Sequence, residues 1–172
     1  MDDFIKNLKN GSYDELCDGL EKELLNGPYD EASIELYLTR AGRILKGKEQ
    51  KFNLLSSKNE EYNIYAMYNL HQEYNETYRI LGFLKRVKQE NEGEYSDYTE
   101  IMFDNFIIRY QDFLEILNFT LKEKFKFDDE KANEQLDKNI DYKWRTRFGK
   151  SGIEVKYRRV IDINEERKRR KK

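Results

Sequence analysis

Residues 59–89, NEEYNIYAMYNLHQEYNETYRILGFLKRVKQ, decide the fold: the stretch holds no proline and one glycine, Gly82. Ile64, Met67, His71, Tyr74, Tyr78 and Leu81 recur within it at intervals of three and four, the spacing that aligns side chains on one face of an α-helix. A helix of about thirty residues is about 45 Å long. That is more than a compact domain of this size needs, so the helix is predicted to project or to join a multi-chain bundle. Asn91, Glu92 and Gly93 break it, and Ser96 or Asp97 caps a second long helix reaching about Lys124. In that helix Phe103, Phe106, Tyr110, Phe113, Leu117 and Leu121 face inward, with Ile101, Ile108 and Phe119 broadening the apolar arc. It is predicted to be the most buried element. Two such helices form an antiparallel hairpin that cannot bury both arcs alone. The N-terminal helices are expected to cover one arc, and a second copy of the chain the other, which makes a homo-oligomer through the long helices an expectation.

Upstream, Ser12, Tyr13, Asp14 and Glu15 read as a capping box opening a helix with Leu16, Leu20, Glu23 and Leu24 on one face. Asn26, Gly27 and Pro28 end it, because glycine accepts the left-handed turn and proline cannot continue the ladder. A second helix starts near Asp30, with a stripe of Ile34, Leu38, Ala41 and Leu45 widened by Tyr37 and Ile44, and Gly47 is predicted to stop it. Downstream, residues 126–139 read as a short polar helix led by Asp128, Asp129 and Glu130.

After Ile140 the period changes to two. Tyr142, Trp144, Thr146 and Phe148 alternate with Lys143, Arg145 and Arg147, and beyond Gly149-Lys150-Ser151-Gly152 the residues Ile153, Val155, Tyr157, Ile161 and Ile163 are interleaved with Glu154, Lys156 and Arg158. Two strands and a turn are predicted. In the register set by a four-residue loop, Phe148 faces Ile153, Thr146 faces Val155 and Trp144 faces Tyr157, an aromatic side fit to pack on helices. The other side sets Arg147 against Glu154 but Arg145 against Lys156 and Lys143 against Arg158. Like charges across a ladder repel, and a bound phosphate backbone reverses that cost. Two-stranded ribbons of this kind enter nucleic-acid grooves; the plain alternative is a half-buried hairpin with a basic wet side.

Charge is segregated along the chain. Thirteen of the thirty-two basic residues fall between Tyr142 and Lys172 beside four acids, and residues 1–141 hold thirty acids against nineteen bases. The chain closes on the unbroken run Arg167, Lys168, Arg169, Arg170, Lys171, Lys172. A basic end on an acidic body points to a polyanionic partner, contacted through phosphates without sequence preference. A solubilising tail, a nuclear-import-like cluster or an arm for an acidic protein would use the same run.

Signals for chemistry are sparse. His71 is the single histidine and lies on the apolar seam between Met67 and Tyr74, a core or interface position with no second group to make it a base. Cys17 is the single cysteine, which excludes an internal disulfide, and its acidic neighbours Glu15, Asp18 and Glu21 disfavour a thiolate. Asp128, Asp129 and Glu130 match no calcium loop and read as a helix start. Gly42, Gly47 and Gly82 stand alone, and the glycines at 149 and 152 lack the pattern of a phosphate-binding loop. No cofactor, metal site or enzymatic activity is expected. The longest apolar runs, such as Phe106-Ile107-Ile108, span only a few residues, and the opening Met1-Asp2-Asp3-Phe4 is acidic, unlike a signal peptide. A soluble cytoplasmic protein without membrane contact is expected, or a nuclear one in a eukaryotic host.

These features predict a mainly α chain: an acidic helical bundle with a long antiparallel hairpin over residues 1–140, a basic β-hairpin packed on it over 141–164, and a disordered basic tail over 165–172. The expected function is non-enzymatic nucleic-acid binding, to DNA or RNA, or an accessory role in assembly. Lys143, Arg145, Arg147, Lys150, Lys156, Arg158, Arg167, Lys168, Arg169, Arg170, Lys171 and Lys172 are the candidate contacts. In outline this looks like the small terminase subunits of tailed phages, helical ring-forming DNA binders, an analogy of architecture without a shared motif. Scarce alanine with abundant Lys, Asn, Ile and Tyr suits an AT-rich genome such as that of a phage or other mobile element. The alternative is a protein-binding inhibitor or adaptor whose acidic, tyrosine-rich helices occupy a basic groove on a partner protein.

Overall fold

The computed structural model describes residues 13–56 and 64–147, and these form five helices. They are α1 (Tyr13–Asn26), α2 (Glu31–Ser56), α3 (Ile64–Glu90), α4 (Asp97–Phe125) and α5 (Asp129–Arg145). No helix among the described residues is long and apolar enough to cross a membrane.

Local signals set most of the helix ends. Gly27 takes φ 73°, a conformation that strains any residue with a Cβ, and its N–H donates to Glu23 O at 2.9 Å to close α1. Asp30 then caps α2, accepting from Ser33 N at 3.3 Å and Ser33 Oγ at 2.7 Å. Ser96 caps α4 through Thr99 N, and Asp128 caps α5 through Lys131 N. The capping residue at Ser12 lies outside the described residues.

Gly47 does not stop α2, which continues to Ser56. A mid-helix glycine costs about 1 kcal/mol relative to alanine, and the buried stripe beyond it offsets that cost: Lys48 is fully buried, and the Phe52 ring meets the Phe113 ring edge-on at 6.1 Å. The extended α2 is thereby matched in length to α3 and α4, with 26, 27 and 29 residues. This overturns the expectation of a projecting helix, because α3 has partners of its own length.

The contacts fix the directions of the helices. Glu31 meets Thr99, Tyr110 Oη donates to Ala41 O at 2.7 Å, and Phe52 meets Phe113, so α2 and α4 run parallel. The turn after Glu90 sets α4 antiparallel to α3. Cys17 meets Glu76 and Glu21 meets Arg79, which makes α1 parallel to α3. Along α5, Asn133 accepts from Tyr74, Asp137 accepts from Tyr78, and Arg147 reaches Glu90, again parallel to α3.

The most buried helix is α3 and not, as the spacing predicts, α4. Leu70, Tyr74, Leu81 and Leu84 are buried together with Ile80, Phe83 and Val87, so apolar side chains leave α3 over a wide arc toward α1, α4 and α5. Ile64, placed on the seam by its spacing, is 77% exposed. On α4 the inward set holds at Phe103, Tyr110, Phe113, Leu117 and Leu121, with Phe106 partly buried. Ile101, Ile108 and Phe119 do not broaden that arc; they are 58%, 53% and 65% exposed on the side away from α3.

The largest departure from the sequence expectation is at the end of α5. Tyr142, Lys143, Trp144 and Arg145 are helical and continuous with the residues before them, so no strand begins at Tyr142. Alternation at every second position also places apolar groups at every fourth. Leu136, Ile140 and Trp144 form such a series, and all three pack on the core. Ile140 seats directly over Gly82, its Cδ1 lying 2.7 Å from where a Cβ on that glycine would stand. The second strand, the turn and the tail of the predicted ribbon, residues 148–172, lie outside the described residues.

Candidate functional site

The described part of the basic end is the last turn of α5 and the two residues after it, Thr146 and Arg147. Lys143 Nζ lies 3.5 Å from Glu21 Oε1, an ion pair to α1. Arg147 donates through Nη2 to both carboxylate oxygens of Glu90 at 2.9 and 2.8 Å, and through Nη1 to Trp144 O at 3.1 Å. Its guanidinium stacks over the Trp144 ring at 3.9 Å from the centroid. Arg145 is exposed on the helix surface. Lys143 and Arg147 thus serve as anchors between α5 and the body. The charge that each would offer a phosphate is already matched by an acid.

The remaining candidate contacts, Lys150, Lys156, Arg158, Arg167, Lys168, Arg169, Arg170, Lys171 and Lys172, lie outside the described residues. Between α1 and the end of α5 a crevice of about 320 Å³ is lined by Asp18, Glu21, Lys22, Lys143 and Arg147 among others, a mixture of signs. A larger groove of about 600 Å³ between α3, α4 and α5 sets Lys85 and Arg86 beside Asp112, Glu115 and Asp137. Neither has the uniform positive lining that holds a phosphate backbone.

A second cluster of charge lies inside the bundle. Lys48, with 0% of its side chain exposed, places Nζ 2.9 Å from Glu73 Oε1 and 2.8 Å from Glu76 Oε1. Lys51 reaches Glu73 Oε2 at 2.9 Å, Arg79 pairs with Glu21 at 3.0 Å, and the Cys17 thiol lies 3.5 Å from Glu76 Oε1. Burial pushes the Glu73 carboxyl up, but the Lys48 and Lys51 charges outweigh it and hold Glu73 below its ordinary value. The network ties α1, α2 and α3 together, and at its edge Glu76 and Arg79 line a shallow crevice of about 260 Å³ with Tyr68, His71, Gln72 and Asn75.

The sequence held a signal for this network. Lys48 falls on the stripe of Ile34, Leu38, Ala41 and Leu45, and Glu73 and Glu76 fall among the buried positions of α3. A charge in step with an apolar stripe marks an internal ion pair. Ending α2 at Gly47 hid the first of the three.

His71 packs against Phe127 with ring centroids 5.3 Å apart, its Nε2 is buried without a hydrogen-bond partner, and burial lowers its pKa. Cys17 is buried. Asp128 caps α5, while Asp129 pairs with Lys122 at 3.2 Å and accepts from Asn118. Among the described residues no group of three His, Cys, Asp or Glu side chains is placed to hold a metal ion. No protein-family model, curated protein or solved structure matches the chain.

Proposed function

We propose that this chain is a non-enzymatic binding protein whose helical body presents a basic C-terminal segment to the phosphates of nucleic acid, as an accessory or assembly factor. The observation that carries this reading is the double anchor of α5. Lys143 on Glu21 and Arg147 on Glu90 hold the end of α5 and the turn after it against α1 and α3, so Arg147 sits at a fixed point of the body. From Phe148 onward the chain holds ten bases and four acids. The net negative charge of the body repels a polyanion, so approach from the basic end is the attractive one.

The test is a titration of labelled DNA and RNA with the full chain, with a 1–164 truncation and with Arg145→Ala, at several salt concentrations. Affinity should fall steeply with salt, and the truncation should flatten the slope by about 0.9 for each phosphate contact it removes from duplex DNA. Absence of binding at low salt overturns the proposal and favours the adaptor reading, in which the acidic helices dock on a basic protein.

A further inference from the structure

We infer that the outer face of α4 is the seam of a two-fold dimer in which the α4 helices of two copies of this chain pack antiparallel. The inference is independent of the nucleic-acid reading. Tyr98, Ile101, Ile108, Ile116 and Phe119 are 68%, 58%, 53%, 48% and 65% exposed on one face of the helix, with Asn105 and Asp112 set among them. Tyr98, Ile101, Asn105, Ile108, Asp112, Ile116 and Phe119 recur at intervals of three and four, the spacing of a helix–helix seam, and every one of them is exposed. The inner face of the same helix is already filled by Phe103, Tyr110, Phe113, Leu117 and Leu121. Packing within the bundle therefore does not account for the outer stripe.

A second copy is the occupant that the pattern fits. An interface around a two-fold axis is self-complementary: if residue i meets residue j, then j meets i. Tyr98 and Phe119, Ile101 and Ile116, and Asn105 and Asp112 are three pairs, each equidistant from the point between Ile108 and Arg109. An axis at that point sets ring against ring and isoleucine against isoleucine, with Ile108 meeting its own copy near the centre. It also sets each Asp112 carboxylate opposite an Asn105 amide, which can donate to it. A parallel pair in register would instead place Asp112 against Asp112.

The area suffices as well. Two aromatic rings and three isoleucines exposed to this degree present roughly 500 to 600 Å² of apolar surface, at the top of what a monomer leaves open. Two copies with their polar rims reach the roughly 1,200 Å² at which specific interfaces begin. Arg147 is bound to Glu90, near the start of α4, so antiparallel pairing sets the two Arg147 residues toward opposite ends of the dimer, with the starts of the two α4 helices about 35 Å apart.

The experiment uses the full chain. Sedimentation or light scattering over a concentration series should give a dimer mass, and Ile108→Asp should weaken association roughly tenfold or more with unchanged helical circular dichroism, whereas Asn105→Lys, which sets a cation against Asp112, should tighten it. Register is read by oxidation: Ile101→Cys mixed with Ile116→Cys should cross-link, each alone should not, and the native Cys17 is buried. A monomer mass throughout, a dimer indifferent to Ile108→Asp, or self-cross-linking of Ile101→Cys overturns the inference. Salt separates this result from the other: phosphate binding weakens as salt rises, but this apolar seam with acidic flanks does not.

Discussion

Arg147 grips Glu90 with one guanidinium nitrogen on both carboxylate oxygens, at 2.9 and 2.8 Å, and lays the plane of the same group over Trp144. A residue chosen from sequence as a phosphate contact is thus a clamp between the ends of α5 and α3. Glu90 is 38% exposed, so solvent screening limits the pair to about 1 kcal/mol or less. Arg147→Ala should cost no more than that, yet it should uncover Trp144, the single tryptophan. Acrylamide quenching of its fluorescence is expected to rise; unchanged quenching would show that the stacking does not shield the ring.

Lys48 is the test of the internal charges. Replacing it with methionine leaves Glu73 and Glu76 buried without their shared cation, a loss of about 3–5 kcal/mol in urea unfolding. Lys48→Met combined with Glu73→Leu and Glu76→Leu removes the uncompensated charges and should recover most of that loss. A triple variant no better than the single one would assign the network a role beyond charge neutralisation.

Gly82 marks the closest approach of α3 and α5. Gly82→Ala drives a methyl group into Ile140 Cδ1 and should destabilise by about 1–3 kcal/mol despite the better helix propensity of alanine. Ile140→Val deletes the clashing atom and should cost about 0.5–1.5 kcal/mol alone. In the double variant the two effects should sum to less than their parts, and strict additivity in a double-mutant cycle would contradict the close contact.

Stability should decline in acid in two stages. The His71 pKa is lowered by burial from its ordinary 6.5, so below that pH the unfolded chain takes up the proton first and folding weakens until pH reaches the folded value. Glu73 is held below its ordinary 4.5, and its contribution is complete above that pH and lost as pH falls through the folded value. Asp30, Glu31 and Asp129, lowered mainly by hydrogen bonds from Ser33, from Ser96 and from Lys122, act in the same direction. Melting temperature against pH should show both stages, and His71→Gln should remove the first. A decline that begins only below 4.5 in the native chain would contradict the His71 assignment.

The helix ends were legible because their causes are local. Asn26-Gly27-Pro28, Ser96 and Asp128 act on backbone groups within four residues, and each stands at the expected boundary. The same locality misleads at Gly47, a weak breaker overridden by the packing of Phe52 on Phe113 sixty-one residues further on. It misleads again at Trp144, because a short alternating stretch satisfies periods of two and of four equally, and only the surface of α3 chooses between them. At the basic end, Lys143 and Arg147 could not be recognised as anchors, since Glu21 and Glu90 lie far from them in the chain.

By itself the sequence determined that this is a helical chain with an acidic body and a basic end, because periodicity, caps and charge counts are properties of neighbouring residues and of composition. Only the tertiary structure decided that α3 is central, that Lys48, Glu73 and Glu76 are inside, and that Ile101, Ile108 and Phe119 are outside. The physical reason is that burial belongs to no residue alone. A helix with apolar groups around most of its circumference can turn several faces inward, and the lengths, directions and charges of its neighbours select one.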